Sequence, residues 1–424
     1  MNIFFSGIGG VGIGPLAEIA LDAGYRIQGS DLSAGLLTEE LQKRGVSIHL
    51  NQDGSFLREC HETTPLDWFV HTAALPENHP ELLLARELGI KTAKRDELLA
   101  HIIADKQLKL IAIAGTHGKT TTTGMAVWTL KQLGIPVSYS VGTTLSWGPS
   151  GHFDSASEYF VYECDEFDRN FLHFSPHLSI ITTIDYDHPD TYPTEQSYVE
   201  AFNDFIRQSR TAVMYQQDLD DTSVVKGSDV LLHIIDKKAN VSDGRVGQIK
   251  LAGQHNRENA YLVRTALREH LGCPDEELVP ALASFPGTQR RFEKLADNLY
   301  SDYGHHPVEI AATLQMAREL SDEVILVYQP HQNVRQHEIK DDYIDQFELA
   351  KKVYWLPTYL SREDPDLPIL SPEELIKNIT NKEHIEVAEL NDELWHAIES
   401  ARTNNKLVLA MGAGSIDSWL RKQL

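Results

Sequence analysis

The chain has 424 residues, 42% of them hydrophobic, and a formal net charge of -24 at pH 7. This length predicts two or three domains, each with its own core. Such a negative charge argues against a nucleic-acid partner, which needs a basic surface, and no apolar run is long enough to cross a bilayer.

The cysteines and the first residues indicate a cytoplasmic location. Cys60, Cys164 and Cys273 are odd in number and far apart, which favours buried thiols over a disulfide framework or a C-x-x-C metal site. The start, MNIFFSGIGG, lacks the basic residues and long apolar stretch of a secretory signal. We therefore expect a cytoplasmic protein with no membrane partner.

Residues 1 to about 104 alternate predicted strands and helices. The pattern predicts strands at 2–6, 25–31 and 67–74, a helix at 15–23, and another helix at PELLLARELG. Alternation of this kind predicts a parallel sheet with helical crossovers.

Two further α/β segments follow. The second has a strand at 110–115, a loop, a helix to about Leu133, and later strands at YFVYE and LSIITTID, whereas residues 216–250 carry no clear pattern. The third begins near Leu295, with strands predicted at 324–329, 351–357 and 406–414. Three consecutive α/β units are the predicted architecture.

A glycine-rich turn, GIGGVG, follows the first strand at Gly7–Gly12, and Asp31 lies near the end of the second strand. This arrangement fits the dinucleotide fingerprint, in which glycines let a pyrophosphate approach a helix N-terminus and the acid takes a ribose hydroxyl. These residues leave three alternatives open: a nicotinamide or flavin cofactor, a nucleotide sugar, or a turn without a ligand.

A second glycine-rich stretch, AGTHGKTTTTG, lies between a strand and a helix. The longer P-loop pattern requires glycine where Ile113 stands, so this is a defective loop, a chance match or a shorter loop. The backbone amides of 115–118 can meet phosphate oxygens, Lys119 can reach the terminal phosphate, and Thr120 is placed to bind Mg²⁺. Its position between strand and helix favours a phosphate loop.

Polar residues end the next two strands of this segment. Glu163 ends one predicted strand and His188 follows another, so both side chains are expected at the crevice that holds the loop. Carboxylate and imidazole suit divalent ions that bridge phosphates. The neighbouring acids Asp165, Glu166 and Asp168 are expected to form a solvated acidic turn.

Later motifs add polar candidates. Asn256 and Asn259 are three apart at a helix start, where Asn256 is alternatively a cap. The turn SDYGHHPVE lacks the additional ligands that a zinc site needs. The candidates from the other motifs are Arg290, Arg291, Asp302, His305, His306, His331 and Arg335.

These motifs in this order resemble the Mur ligases, the ATP-dependent amide-forming enzymes of peptidoglycan precursor synthesis. The resemblance rests on GIGGVGIG, AGTHGKTTTT, ECDEFDRNFLHF, DYDHPDTY, GQHNRENA, GTQRRFE, DYGHHPVE, QPH and GAGS. It is greatest to the members that attach L-alanine to UDP-N-acetylmuramate. The family's phosphate loop is the compact G-T-x-G-K-T form, which is what stands at 115–120.

The resemblance implies three α/β domains. They are an N-terminal Rossmann-like UDP-sugar-binding domain (1–104), a central P-loop-type ATPase domain (105–294) and a C-terminal Rossmann-like domain that closes on amino acid and nucleotide (295–424). It implies ATP with Mg²⁺, or Mn²⁺ in its place, as cofactors, and UDP-N-acetylmuramate and L-alanine as substrates. We expect a monomer or homodimer.

The resemblance also implies roles for individual residues. Lys119, Glu163 and His188 are expected to be catalytic, and Thr120, Glu163 and His188 to bind the metal. The expected ATP site consists of Gly115, Thr116, His117, Gly118, Lys119, Thr120, Thr121, Asn256, Asn259, Arg290, Arg291 and Asp302. The expected UDP-sugar site consists of Gly7, Gly9, Gly10, Gly12, Ser30, Asp31, His71 and Thr72. His305, His306, His331 and Arg335 are expected on the amino-acid side.

The sequence departs from the family pattern at several points. The family usually has serine at the position of Phe167 and arginine at that of Gln332, and the loop YLSRED differs from the usual sequence. The alternatives are a ligase that recycles a tripeptide onto UDP-N-acetylmuramate, a nicotinamide-dependent oxidoreductase, and a catalytically silent nucleotide-sugar-binding protein.

Overall fold

The computed structural model describes residues 1–10, 12–72, 75–188, 191–220, 229–236, 248–249, 251–361 and 363–424, apart from the side chains of 36, 219 and 220. Residues 73–74 of the predicted strand at 67–74, and much of 216–250, lie outside this description. The chain forms two compact units, residues 1–243 with 262–285, and residues 244–261 with 286–424. No described helix is both long and apolar enough to span a bilayer.

The first sheet consists, among the described residues, of five parallel strands in the order β3-β2-β1-β4-β5. The predicted strand and helix at the N-terminus are confirmed, because β1 is a buried apolar run and Pro15 opens α1. The strands are β1 Asn2–Ser6, β2 Arg26–Ser30, β3 Ser47–His49, β4 Trp68–His71 and β5 Lys91–Lys94; the helices are α1 Gly14–Asp22, α2 Leu36–Lys43, α3 Ser55–Thr63, α4 Pro80–Glu87 and α5 Arg95–Asp105.

The second sheet has the order β12-β11-β10-β6-β9-β7-β8 among the described strands, and only the β7–β8 pair is antiparallel. The strands are β6 Lys109–Ala114, β7 Val137–Ser140, β8 Gly151–His152, β9 Tyr159–Glu163, β10 Leu178–Ile181, β11 Thr211–Tyr215 and β12 Leu231–Ile235. The helices are α6 Lys119–Gln132, α7 Glu195–Gln208, α8 Gln216–Asp220, α9 Gln254–Leu271 and α10 Asp275–Ala283, with a 3₁₀ segment at Phe167–His173.

The strand order positions the candidate site. β6 lies between β9 and β10, and all three are parallel. Their carboxyl ends, at Ala114, Glu163 and Ile181, therefore meet at one edge of the sheet, where open α/β sheets bind ligands.

One hydrophobic cluster extends through both sheets of the first unit. It includes Ile3 and Phe5 from β1, Phe160 from β9 and Phe202 from α7, all fully buried. All three cysteines are buried and free, as predicted. The first two sheets therefore share a core.

The third sheet has the order β13-β14-β18-β15-β16-β17 among the described strands, and only β13–β14 is antiparallel. The strands are β13 Glu293–Ala296, β14 Leu299–Asp302, β15 Val324–Tyr328, β16 Lys352–Trp355, β17 Ile385–Val387 and β18 Leu407–Met411. The helices are α11 Pro307–Leu320, α12 Asn333–Ile339, α13 Pro372–Ile376, α14 Asp392–Thr403 and α15 Ile416–Gln423, with 3₁₀ turns at Lys340–Tyr343 and Lys382–His384. The predicted α/β class is confirmed, whereas the residue boundaries of the domains stay a prediction.

Candidate active site

The loop between β6 and α6 is short and tightly fitted. Gly115 has φ +136°, and a Cβ there would lie 2.2 Å from the hydroxyl of Thr182. Gly118 has φ +81° and directly precedes the helix, which begins at Lys119. Because Ile113 belongs to β6, the loop is a compact one that needs no glycine at that position.

The segment that follows β10 braces this loop. Thr183 accepts from the N–H of Thr116 (2.9 Å) through its carbonyl and from the N–H of His117 (3.0 Å) through its hydroxyl. The Thr116 hydroxyl donates to the carbonyl of Asp185 (2.7 Å), and the His117 ring lies 3.7 Å from the Asp185 carboxylate. Two amides that we expected to meet phosphate are thus bonded within the protein. The first-turn amides of α6 remain the anion-binding feature of a helix start.

Lys119 is held at the centre of the site. Its Nζ donates to the carbonyl oxygens of Gly115 (2.7 Å) and Thr116 (3.2 Å). It also lies 2.9 and 2.8 Å from the two carboxylate oxygens of Glu166. Burial disfavours the ammonium, but nearby carboxylates, Glu166 foremost, outweigh it and raise the pKa of Lys119.

Glu166 corrects the expectation of a solvated acidic turn. Its side chain is 1% exposed, and burial opposes its charge, but Lys119 together with His188 more than compensates and lowers the pKa of Glu166. Asp165 is half-buried, and burial raises its pKa. Asp168 fits the expectation, because it is exposed and pairs with Lys94 at 2.5 Å. By its composition the acidic run DEFD is typical of an exposed surface. The structure shows that Lys119, 47 residues earlier, lies beside Glu166 of this run.

Thr120 and Glu163 are brought into contact. The Thr120 hydroxyl donates to Glu163 Oε1 (2.9 Å), and Gly142 N–H donates to Glu163 Oε2 (3.1 Å). Paired hydroxyl and carboxylate oxygens are the donor chemistry that Mg²⁺ prefers. Within the part of the chain that the structure describes, no group of three or more His, Cys, Asp or Glu side chains forms a ready-made metal site.

His188 lies on the other side of Glu166. Its Nε2 is 3.6 Å from Glu166 Oε1 and 3.7 Å from Asp187 Oδ2. Burial lowers the pKa of His188, but the two carboxylates outweigh it and raise the pKa overall. The backbone of His188 is left-handed, with φ +59°. Such a conformation is uncommon outside glycine and clusters at functional sites.

The N-terminal turn is organised by backbone contacts. The N–H groups of Gly7 and Ile8 both donate to the carbonyl of Ser30 (2.8 and 3.0 Å), and Gly9 N–H donates to Asp31 Oδ2 (2.8 Å). Gly7 has φ +75°. In this structure Asp31 thus holds the turn itself.

A buried polar network lies beneath this turn. The hydroxyls of Ser6 and Ser30 both donate to Glu81 Oε2 (2.6 and 2.8 Å), and Gln52 Nε2 donates to both hydroxyls (3.1 and 3.3 Å). Burial raises the pKa of Glu81. The Ser30 side chain is therefore directed into the core, and its carbonyl is the part that meets the turn.

Other predicted UDP-sugar residues lie near the carboxyl ends of β1 and β4 in the first sheet. His71 ends β4, the neighbour of β1, and its Nδ1 lies 2.9 Å from the carbonyl oxygen of Thr72. Gly10 N–H donates to the Gly7 carbonyl (3.0 Å), which closes the turn. Gly12 follows within the same turn, two residues before α1.

The second unit contains the predicted ATP residues Arg290, Arg291 and Asp302. Both guanidinium groups lie over the ring of Tyr303, at 4.6 and 5.1 Å from its centroid. Asp302 is buried and accepts from the backbone N–H groups of Phe292 and Gly304 (both 2.7 Å). Burial raises the pKa of Asp302 even though Arg291 opposes this.

Three of the predicted amino-acid-side residues form a cluster in that unit. Arg335 contacts His305 Nε2, and the rings of His305 and His331 are 5.9 Å apart. His331 stacks on Tyr359 at 5.7 Å, so the divergent YLSRED loop contributes to the cluster. Burial lowers the pKa of His305 to about 4. His306 instead is the N-cap residue of α11, and its N–H donates to Glu309 (3.2 Å).

Asn256 and Asn259 lie in the first turns of α9, inside the helix. The Asn256 amide donates to the carbonyl of Ala252 (3.0 Å) and lies 3.2 Å from the sulfur of Met316. Asn259 is buried. Asn256 is therefore not the cap residue of this helix, which was the alternative.

The fold and the site define a class: an α/β protein with a compact phosphate loop, whose lysine, threonine and carboxylate meet at the carboxyl edge of a parallel sheet. Three family models match the chain in order. They are the Mur ligase family catalytic domain at residues 2–107, the Mur ligase middle domain at 113–245, and the Mur ligase glutamate ligase domain at 290–414. The chain belongs to the Mur ligase family.

Individual relatives support the same family assignment. UDP-N-acetylmuramate–L-alanine ligases of Nitrosospira multiformis and Dinoroseobacter shibae are each 32% identical over 98% of this chain and 92% and 95% of theirs. The crystal structure of the UDP-N-acetylmuramate-alanine ligase MurC of Thermotoga maritima has a TM-score of 0.75 at 25% identity, covering 100% of this chain and 98% of that one. A murein peptide ligase of Psychrobacter arcticus shares the fold (TM-score 0.64, 23% identity, coverage 100% and 98%).

Proposed function

We propose that this protein joins L-alanine to the lactyl carboxylate of UDP-N-acetylmuramate and uses ATP, which leaves as ADP and phosphate. The observation that carries the proposal is the similarity over 98% of the chain to ligases of that name. The loop geometry supports the ATP-dependent step, because Lys119 is fixed beside Thr120 and Glu163 at the sheet edge.

The reaction we propose has two steps. The lactyl carboxylate attacks the γ-phosphorus of ATP, which forms an acyl phosphate and releases ADP. The amine of L-alanine then attacks the acyl carbon, loses a proton and displaces phosphate. The carboxylate and the γ-phosphate are both anions and repel each other. The ammonium of Lys119 and the first-turn amides of α6 reduce this repulsion.

We propose that Thr120 and Glu163 hold Mg²⁺, with His188 as a further ligand and Mn²⁺ as an alternative ion. Their oxygen and imidazole donors suit such an ion. The ion would supply positive charge beside the phosphates. In this arrangement Glu163 also positions the Thr120 hydroxyl.

A variant tests this metal assignment. Glu163→Gln removes the charge but not the volume, so we expect it to raise the Mg²⁺ concentration needed for half-maximal ligation about tenfold. Glu158→Gln, an exposed position just before the same strand, should leave the magnesium titration unchanged. Superimposable titrations for both variants would exclude Glu163 as a ligand.

The remaining assignments are part of the same proposal. Gly7, Gly9, Gly10, Gly12, Asp31, His71, Thr72 and the backbone of Ser30 would serve the UDP-sugar. Asn256, Asn259, Arg290, Arg291 and Asp302 would serve ATP. The cluster of His305, His331 and Arg335, together with His306, would serve the amino acid. The cytoplasmic location and the oligomeric state stay predictions.

An amino-acid panel tests the function. UDP-N-acetylmuramate, ATP and Mg²⁺ are incubated with L-alanine, L-serine, glycine or a cell-wall tripeptide, and phosphate release and product mass are recorded. We expect release only when both substrates are present, with L-alanine preferred. Preference for the tripeptide would instead identify a recycling ligase, NAD(H) binding in calorimetry would favour an oxidoreductase, and no release would indicate a silent binding protein.

A further inference from the structure

The ammonium of Lys119 has no donor left over in this structure. An ammonium carries three N–H groups, and four oxygen atoms lie within 3.2 Å of Nζ: two backbone carbonyl oxygens and both carboxylate oxygens of Glu166. A phosphate oxygen can therefore bond to Lys119 only by replacing one of these acceptors.

The nature of the acceptors indicates which one is replaced. The carbonyls of Gly115 and Thr116 are neutral and belong to the loop that carries Lys119. Glu166 is the anion of the set, and its side chain and that of Lys119 are 1% and 14% exposed. A buried charge has to stay paired, so exchanging one anion for another keeps the ammonium neutralised throughout.

The backbone around Glu166 suits such an exchange. Its carbonyl oxygen accepts from the buried hydroxyl of Tyr192 (2.5 Å), and the N–H of Arg169 donates to the same carbonyl (3.0 Å). The main chain is thus anchored on two sides. An exchange at Lys119 would therefore involve the Glu166 side chain and not its backbone.

We propose that Glu166 is a positioning residue: the counter-ion that holds Lys119 in the loop until the terminal phosphate of ATP takes its place. This inference rests on the proposed ATP-dependent function, and it concerns a residue that acts through Lys119. The carboxylate competes with the γ-phosphate for the same ammonium. ADP, which lacks that phosphate, meets much less of this competition.

The experiment measures nucleotide affinity by calorimetry with ADP and with β,γ-imido-ATP, which is not hydrolysed, at fixed Mg²⁺. Glu166→Gln keeps the shape of the side chain and removes its charge. We expect it to bind the ATP analogue about tenfold more tightly and ADP less than about threefold more tightly. Glu166→Asp, one methylene shorter, should give an intermediate ratio of the two affinities. Asp168→Asn, exposed in the same segment, should leave the ratio unchanged.

The outcomes separate the alternatives. A purely structural role would lower the melting temperature of Glu166→Gln and weaken both nucleotides alike, and that result overturns the proposal. If Glu166→Gln does not fold, an unchanged affinity ratio in Glu166→Asp overturns it as well. A wild-type protein that binds neither nucleotide would overturn both this inference and the ATP-dependent function. Ligation of L-alanine by the wild type, with an unaltered ratio in the variants, would overturn the inference alone.

Discussion

Two glycine-rich turns of the first unit have the same place in their sheets and different chemistry. Each connects a central parallel strand to the next helix, β1 to α1 and β6 to α6. The first turn is held by the carbonyl of Ser30 and the carboxylate of Asp31. The second leads directly into α6, whose first residues are Lys119, which pairs with the buried carboxylate of Glu166, and Thr120, which bonds to Glu163.

The two turns suit different tasks on a phosphate group. A diphosphate that is bound but stays intact can be held by backbone amides at a helix start. A phosphoryl group that is transferred needs positive charge that follows it, which side chains such as lysine supply. The first turn therefore fits binding, and the second fits chemistry.

Removing Lys119 is the strongest test of this comparison. We expect Lys119→Ala to lower the ligation rate at least about 10³-fold and to leave UDP-N-acetylmuramate affinity within about twofold, because the other turn would hold that substrate. Steady-state phosphate release and calorimetry measure the two effects. Lys131→Ala, in the last turn of the same helix, is the control, and unimpaired turnover in Lys119→Ala would refute the assignment.

The stability of that variant needs a control of its own. Lys119→Ala leaves the Glu166 carboxylate buried without its partner, which costs about 3–5 kcal/mol. The double variant Lys119→Met with Glu166→Gln removes both charges, so it should recover most of the melting temperature and stay inactive. Activity in the double variant would show that the lysine is dispensable.

Glycine-to-alanine variants compare how tightly the turns are built. At Gly115 a Cβ would lie 2.2 Å from Thr182 Oγ1 and 2.9 Å from Thr183 N, at φ +136°, so Gly115→Ala should cost about 3 kcal/mol in the free energy of unfolding. At Gly7 a Cβ meets nothing within 4 Å, at φ +75°, so Gly7→Ala should cost about 1 kcal/mol. Urea denaturation measures both, and equal losses would contradict this difference between the turns.

The smallest expected effect concerns Asp31. Its Oδ2 accepts from Gly9 N–H (2.8 Å) and its Oδ1 from Leu32 N–H (2.8 Å). In Asp31→Asn one of these oxygens is replaced by an NH₂ group, which cannot accept, so one of the two hydrogen bonds is lost. We expect about fivefold weaker binding of UDP-N-acetylmuramate and unchanged binding of the ATP analogue. Asp53→Asn, which changes a similar aspartate bond to Ser55 N–H, serves as the control. If Asp31→Asn weakened binding of the ATP analogue as well, the two turns would not bind their ligands independently.

The sequence predicted the parts of the fold that depend on local pattern. β1, β6 and β18 are apolar runs followed by glycine, and each lies where the pattern predicts it. The candidate positions of Lys119, Thr120 and Glu163 follow from the same logic, because parallel strands bring their carboxyl ends to one edge. The contact between Thr120 and Glu163 agrees with this.

Pairings over long sequence distances were not predictable. Nothing in the run DEFD distinguishes the buried Glu166 from the exposed Asp168, since the difference is whether Lys119 or Lys94 lies opposite. The partner of His117 was not predictable from the sequence either, because its ring faces Asp185, which lies far away along the chain. The inward direction of the Ser30 hydroxyl likewise depends on Glu81, which is 51 residues away.

A hydrophobic cluster shared by the first two sheets bears on how the protein can be divided for experiments. Tyr162 on β9 donates a hydrogen bond to Asp96 on α5, and residues from Ile3 to Met214 belong to one apolar cluster. A fragment cut after residue 104 would leave part of that cluster in water, with the aggregation that exposed apolar patches bring. Recombinant fragments for screening inhibitors against either turn should therefore keep both sheets in one polypeptide.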